Sequence, residues 1–250
     1  MSIVELGTIA AINRYPVKSM AGERLESASL RWTGVDGDRQ YAFVRTGETG
    51  RFPWLTGRDV PEMVTWRARY ADPADPRRSP LHVDTGDGFS GPIGDRALLE
   101  RLTSAAGEEV RLLQIGRGAH DSMPVSEIAT ATAELLAERT GTSLDLRRFR
   151  ANIVIATPPG EAWRETRWTG GTLVFGDGPN AGRLHANVAI DRCVMVTLDP
   201  DSAAREPAIL RCVVQDFANE IGIRCTIAAP GMIAVGDRVR LVTAPEEAET

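Results

Sequence analysis

No segment of this chain holds a helical apolar period for long. Short runs of alternating apolar and polar residues recur instead, and each is cut by a turn residue. With 24 glycines and 15 prolines in 250 residues, such breaks come often enough to confine most elements to strand length. Val4, Leu6, Thr8, Ala10 and Ile12 alternate as a half-buried strand does, and Pro16 ends that run. Residues 15–22 read as a loop. Strands are predicted over 25–32, 39–45, 64–70, 81–85 and 110–115, with a proline-rich surface loop at 72–80. Asp95 is placed to cap a short helix carrying Leu98, Leu99 and Leu102, which Gly107 stops.

The second half continues in the same manner. A loop at 120–124 precedes a helix predicted over 126–140, with Ser126 as N-cap and Gly141 as stop. Strands are expected over 153–156, 172–176, 183–190 and 193–198. A helix is expected over 209–221, where Ile209, Val213, Phe217 and Ile221 are spaced by four. Two strands flank the turn at Gly236 and Asp237. The pattern predicts a mixed α+β, mostly β chain of barrel-like architecture. The division expected is an N-terminal β-barrel or sheet domain over 1–116 and a second barrel-like domain over 117–245. Residues 246–250 form an acidic tail expected to be disordered.

Several function classes fall away. A net charge of −5 argues against general nucleic-acid binding. No apolar run approaches the roughly 20 residues of a bilayer span. The N-terminus lacks a basic start followed by an apolar stretch, so the expectation is a cytoplasmic protein without membrane partners. Three cysteines, with no C-x-x-C pair, support neither a disulfide framework nor an iron–sulfur ferredoxin domain.

The residues that remain interesting are few. Cys193 is either a buried strand cysteine or a thiolate ligand, and the adjacent Arg192 favours thiolate. Lys18 is the single lysine among 29 basic residues. Beside Ser19 in a loop, it is either an exposed residue or part of a phosphate site. Arg39 sits at the mouth of a strand. Arg148 and Arg150 share a face next to Asn152, whereas Arg147 reads as surface charge. Together they are either ordinary surface charge or a pocket for an anionic cofactor. His120 and His185 lack metal-ligand spacing and read as surface or hydrogen-bonded. Asp199 and Asp201 read as turn residues, and Cys212 as part of the core.

These pieces occur in an order that resembles the MOSC family, named for the C-terminal domain of molybdenum cofactor sulfurase. The likeness runs through Y-P-V-K-S at 15–19, G-x-x-G-D-R at 34–39, D-S-M-P at 121–124 and R-F-R-x-N-I-V at 148–154. It continues through R-C-x-x-x-T-x-D-P-D at 192–201 and P-G-x-I-x-V-G-D at 230–237. The resemblance implies a cofactor of molybdenum and molybdopterin, with Cys193 as catalytic metal ligand. Lys18, Ser19, Arg39, Asp121, Ser122, Arg150, Asn152 and Arg192 become its cofactor-binding residues. Similarity to the mitochondrial amidoxime-reducing component and its bacterial counterparts implies reduction of small N-hydroxylated or N-oxidised compounds. Electrons would come from a separate flavin or iron–sulfur reductase. The chain departs from the family pattern at Ala151, where proline is usual, and at Asp191, where a small hydroxylated residue is usual. The stretch 176–182 is also longer than usual. Three other readings stay open on the residues: sulfur transfer through a Cys193 persulfide, pyridoxal phosphate bound at Lys18, and a non-catalytic binding module.

Overall fold

The computed structural model describes residues 2–162 and 164–244. The acidic tail expected at 246–250 lies outside the described residues. In the first half the strands are β1 (Ser2–Arg14), β2 (Glu23–Leu25), β3 (Ser27–Arg31), β4 (Gly34–Val35), β5 (Tyr41–Arg45), β6 (Arg67–Tyr70), β7 (Leu81–Asp84) and β8 (Ser90–Pro92). Helix α1 (Arg96–Ala106) and β9 (Val110–Gln114) complete it. The second half holds β10 (Val125–Ala129), α2 (Thr130–Thr140), β11 (Ile153–Ala156), β12 (Thr172–Phe175) and β13 (Arg183–Asp191). It ends with α3 (Pro207–Asp216), β14 (Glu220–Ala229), β15 (Gly231–Ala234) and β16 (Arg238–Thr243).

Seven of these strands close a barrel. The ring runs β11-β10-β14-β13-β12-β16-β1 and returns to β11, with β2 added outside on β1. Closure abolishes the open edges that a flat sheet of this size would present. The joint falls on β1, which pairs antiparallel with both β16 and β11. Gly7 makes the close approach possible, because its φ is 141° and a Cβ there would lie 1.9 Å from the Ala156 carbonyl oxygen. A strand from the start of the chain is therefore a stave of the barrel built mostly by its second half.

Three apolar cores organise the molecule. The lumen holds Ile9, Ile12, Ile153, Phe175, Leu184 and Ile223, continuous with residues of the small sheet β15-β3-β4. On the outside of the barrel, α2 and α3 bury Leu136, Ile209, Val213 and Phe217 against Ile128 and Val154. The first half adds its own core of Phe43, Met63, Trp66, Val83, Leu98 and Leu102, beneath the pair β5–β9, the sheet β6-β7-β8 and α1. The chain is thus mostly β around a closed barrel.

Five local expectations differ from the structure. The strand expected over 64–70 is shorter, because Pro61–Thr65 is a 3-10 helix and β6 starts only at Arg67. Ser126 does not cap a helix: it lies within β10, which pairs with β14 and β11, and α2 starts only at Thr130. Residues 193–198 are not a strand. Val194–Thr197 is a 3-10 helix with Cys193 at its N-cap. The helix expected over 209–221 stops at Asp216, because Ala218 and Asn219 turn through left-handed φ of 51° and 64°, and Glu220 begins β14, which takes Ile221 into a strand. The run 25–32 is split between β2 and β3.

Candidate functional site

The loop after β1 starts the site. A bridge from Val17 to Tyr41 and a 2.9 Å bond from the Lys18 amide to the Tyr41 carbonyl pin it to β5. Lys18 is buried. Its Nζ donates to the Ala119 carbonyl at 2.9 Å and to Asp121 Oδ1 at 2.8 Å. Burial lowers the Lys18 pKa, opposed by Asp121. The Asp121 carboxyl sits below its ordinary range, because the Lys18 charge and hydrogen bond outweigh desolvation. Two residues that sequence places at one ligand therefore hold each other.

Arginines form the opposite wall. Arg39 donates through Nη1 to Asn152 Oδ1 at 3.2 Å and to Asp38, and through Nη2 to the Arg150 carbonyl at 3.0 Å. Both Arg39 and Arg150 lie over the Tyr15 ring, at 4.9 and 4.4 Å from its centroid. Arg192 donates to the Ile221 carbonyl at 2.7 Å and to the Phe149 carbonyl at 3.1 Å. One terminal nitrogen of Arg150 and one of Arg192, Nη2 in each case, are sealed from solvent without a hydrogen-bond partner. Burial pushes both guanidinium pKa values down to about 10, so both stay charged at neutral pH. Buried cationic donors without acceptors are costly, and an anion in the adjoining cavity would offset part of that cost through their charge. Ser19, Arg39 and Arg150 also hold left-handed φ of 69°, 47° and 54°. Backbone strain of this kind concentrates at ligand sites.

All nine residues singled out in the sequence line one cavity of about 330 Å³: Lys18, Ser19, Arg39, Asp121, Ser122, Arg150, Asn152, Arg192 and Cys193. Cys193 is exposed there, whereas Cys225 is buried in the lumen core. Seven basic residues line the cavity, against two acidic ones, Asp121 and Asp191, among the described residues. On a chain of net charge −5, that local excess selects an anionic ligand. Asn152 is fully buried and already engaged. Its Oδ1 accepts from Arg39 and from the Ser126 amide, and its Nδ2 donates to the Asn13 carbonyl, so it ties β1 and β10 to the arginine wall.

Two family models divide the chain between them. Residues 6–116 match the MOSC N-terminal beta barrel domain, and residues 116–240 match the MOSC domain. The chain belongs to the MOSC family. That family is linked to molybdenum-cofactor-associated function. Among solved structures, the YuaD protein of Bacillus subtilis is similar at 12% identity with a TM-score of 0.53, over 98% of this chain and 99% of that one. YiiM of Geobacillus stearothermophilus is 14% identical, with a TM-score of 0.39 over 51% of this chain and 58% of that one. At such identities the likeness to YuaD speaks to the fold. No curated protein sequence matches.

The cavity of this MOSC protein also recruits residues not assigned to it from the sequence, and it corrects the expectation for His120, whose Nε2 is buried without a hydrogen bond rather than at the surface. Burial pushes the His120 pKa down to about 4, so it is neutral at pH 7. Arg58, Phe52 and Thr56 approach from the loop after β5, which carries no motif. Arg224 was findable. Once 220–229 is recognised as a strand, alternation puts Arg224 on the face opposite Ile223 and Cys225. The other arginines sort as their surroundings require. Arg147 is exposed and paired with Asp145 and Asp201. Arg148 is buried between Asp199, Glu206 and the Thr197 carbonyl. Asp199 accepts from the Asp201 and Ser202 amides, as a turn aspartate does. Among the described residues no cluster of three His, Cys, Asp or Glu side chains could hold a metal. No described helix is long and apolar enough to cross a membrane.

Proposed function

We propose that this MOSC protein is a molybdenum-cofactor-dependent oxidoreductase that reduces small N-hydroxylated or N-oxidised compounds. One observation carries the reading: an exposed cysteine thiol shares a cavity with Lys18 and an arginine wall whose buried donors lack acceptors. The donor set fits the group. Cys193 supplies a soft sulfur ligand for molybdenum. Lys18, Ser19, Arg39, Arg150 and Arg192 supply donors and positive charge for a pterin phosphate, with Asp121, Ser122 and Asn152 ordering the wall around it.

When bound, the cofactor would supply the two-electron redox chemistry. The chain contributes binding and orientation. Arg150 and Arg192 hold charge in a partly desolvated wall, where it acts more strongly than in water. Neutral His120 is available to hydrogen-bond a ligand. Exposed Asp191, two residues before Cys193, can accept a hydrogen bond from the hydroxyl of an N-hydroxylated base. Phe52 and Met195 give the cavity an apolar side for the substrate body. Electrons would be delivered by a separate flavin or iron–sulfur protein.

The test is elemental and pterin analysis of freshly purified full-length protein from a molybdenum-replete host. We expect near-stoichiometric molybdenum and pterin. Well-folded protein holding neither would sink the reading. The exposure of Cys193 favours one alternative, sulfur transfer through a Cys193 persulfide. In that case the Cys193 peptide would be one sulfur heavier by mass spectrometry, and molybdenum would be absent. A Schiff base at Lys18 for pyridoxal phosphate would have to break the bonds to Ala119 and Asp121, and no observation favours it or a purely non-catalytic module.

A further inference from the structure

A second cavity of about 180 Å³ lies beside the first. The two share Arg148, Arg150 and Met195 as lining residues. It is reached between the loop after β1 and the turn at Pro200, and its polar side is formed by Asn13, Tyr15, Arg24 and Arg147 together with the shared arginines. Four arginines therefore line it, and among the described residues no carboxylate does. Val64, Leu198 and Pro200 make its apolar side.

We propose that this second cavity is a binding site for a small anion with an apolar body, of the aryl carboxylate class. Two features beyond the cluster of charge point to a ligand. The Arg148 side chain is 2% exposed, and its Nε is buried without a hydrogen-bond partner even though its Nη1 and Nη2 are engaged. An anion seated beside this wall lowers the cost of that open donor through the local field rather than by a direct bond, because the atom is sealed from solvent. Arg24 stands exposed on β2 with one bond, to the Ala10 carbonyl at 2.8 Å, and no ion pair among the described residues. Arg147 is balanced by Asp145 and Asp201, and Arg148 by Asp199 and Glu206, so Arg24 and Arg150 supply the positive charge. The volume equals that of roughly six waters at about 30 Å³ each, enough for one ring and its carboxylate. Arg150 is shared with the proposed cofactor site, but benzoate binding is read without reference to metal or pterin content.

Calorimetric titration of benzoate into the full chain tests it. We expect saturable binding. Arg24→Glu should weaken it at least about fivefold, the loss of roughly one charge-assisted contact, while Arg24→Lys retains most of it. Arg58→Ala, which alters only the first cavity, should leave it within about twofold. Benzyl alcohol, with the same ring and no charge, should not bind. The proposal is overturned by any of three results: no saturable benzoate binding, equal binding of benzyl alcohol, or binding that Arg58→Ala removes and Arg24→Glu leaves unchanged.

Discussion

The barrel lumen and the arginine cavity both place ionisable groups out of water, and they treat them in opposite ways. The lumen admits Glu127, whose strand partners Ile153 and Ile223 both belong to the apolar core. Burial raises its pKa to about 8, opposed by a hydrogen bond from the Cys225 thiol. The group is therefore neutral at pH 7, which is how an apolar interior tolerates an acid. The cavity keeps its cations charged, holds them with backbone carbonyls and rings, and leaves some of their donors open. A fold can discharge a group that only fills space. It has to retain the charge of a group that waits for a ligand.

The largest effect expected on the cavity side is from Cys193→Ala. Because Cys193 is exposed, the variant should melt like the parent yet retain less than about a tenth of its molybdenum, since the removed thiolate is a direct ligand. Elemental analysis beside a thermal melt reads both, and undiminished metal would break the contrast. Arg148→Ala comes next and concerns stability. It strands Asp199 and Glu206 beside a vacated buried position and should cost about 3–5 kcal/mol in denaturant unfolding.

The lumen is tested by pH. The folded pKa of Glu127 lies above its ordinary 4.5, so the folded state binds a proton that the unfolded state releases. That contribution is whole below the unfolded value and is lost as pH rises towards 8. Stability should fall by up to about 1.4 kcal/mol per pH unit through this window, and Glu127→Gln should flatten the slope. An unchanged slope in unfolding titrations at pH 5, 6, 7 and 8 would show that Glu127 is not held neutral. The smallest effect is Lys18→Ala, which should weaken cofactor retention by about tenfold or less, the worth of one charge-assisted contact. Timed loss of pterin on gel filtration measures it, and parent-like retention would remove Lys18 from the anion site.

Much of the local structure was legible because it is written in neighbouring residues. Asp95 accepts from the Ala97 amide at the start of α1, and Gly107 and Gly141 close α1 and α2 with left-handed φ of 73° and 68°. Expectations failed where distant partners decided the outcome. The run 126–129 looks like the first turn of a helix until β14 and β11 claim its backbone groups. Cys193 looks like the start of a strand, but β13 loses its partner after Asp191 pairs with Glu220, and the chain coils into a 3-10 turn that leaves the thiol outside.

The sequence by itself determined which chemical groups are present, where helices stop, and the order of motifs that marks a MOSC chain, since each depends on residues a few positions apart. Only the tertiary structure decided that Lys18 faces Asp121 and Arg148 becomes a strut between Asp199 and Glu206. It alone decided that Arg150 and Arg192 keep open donors beside an exposed Cys193. Whether a buried donor finds an acceptor depends on segments up to more than a hundred residues away, and no local pattern records that.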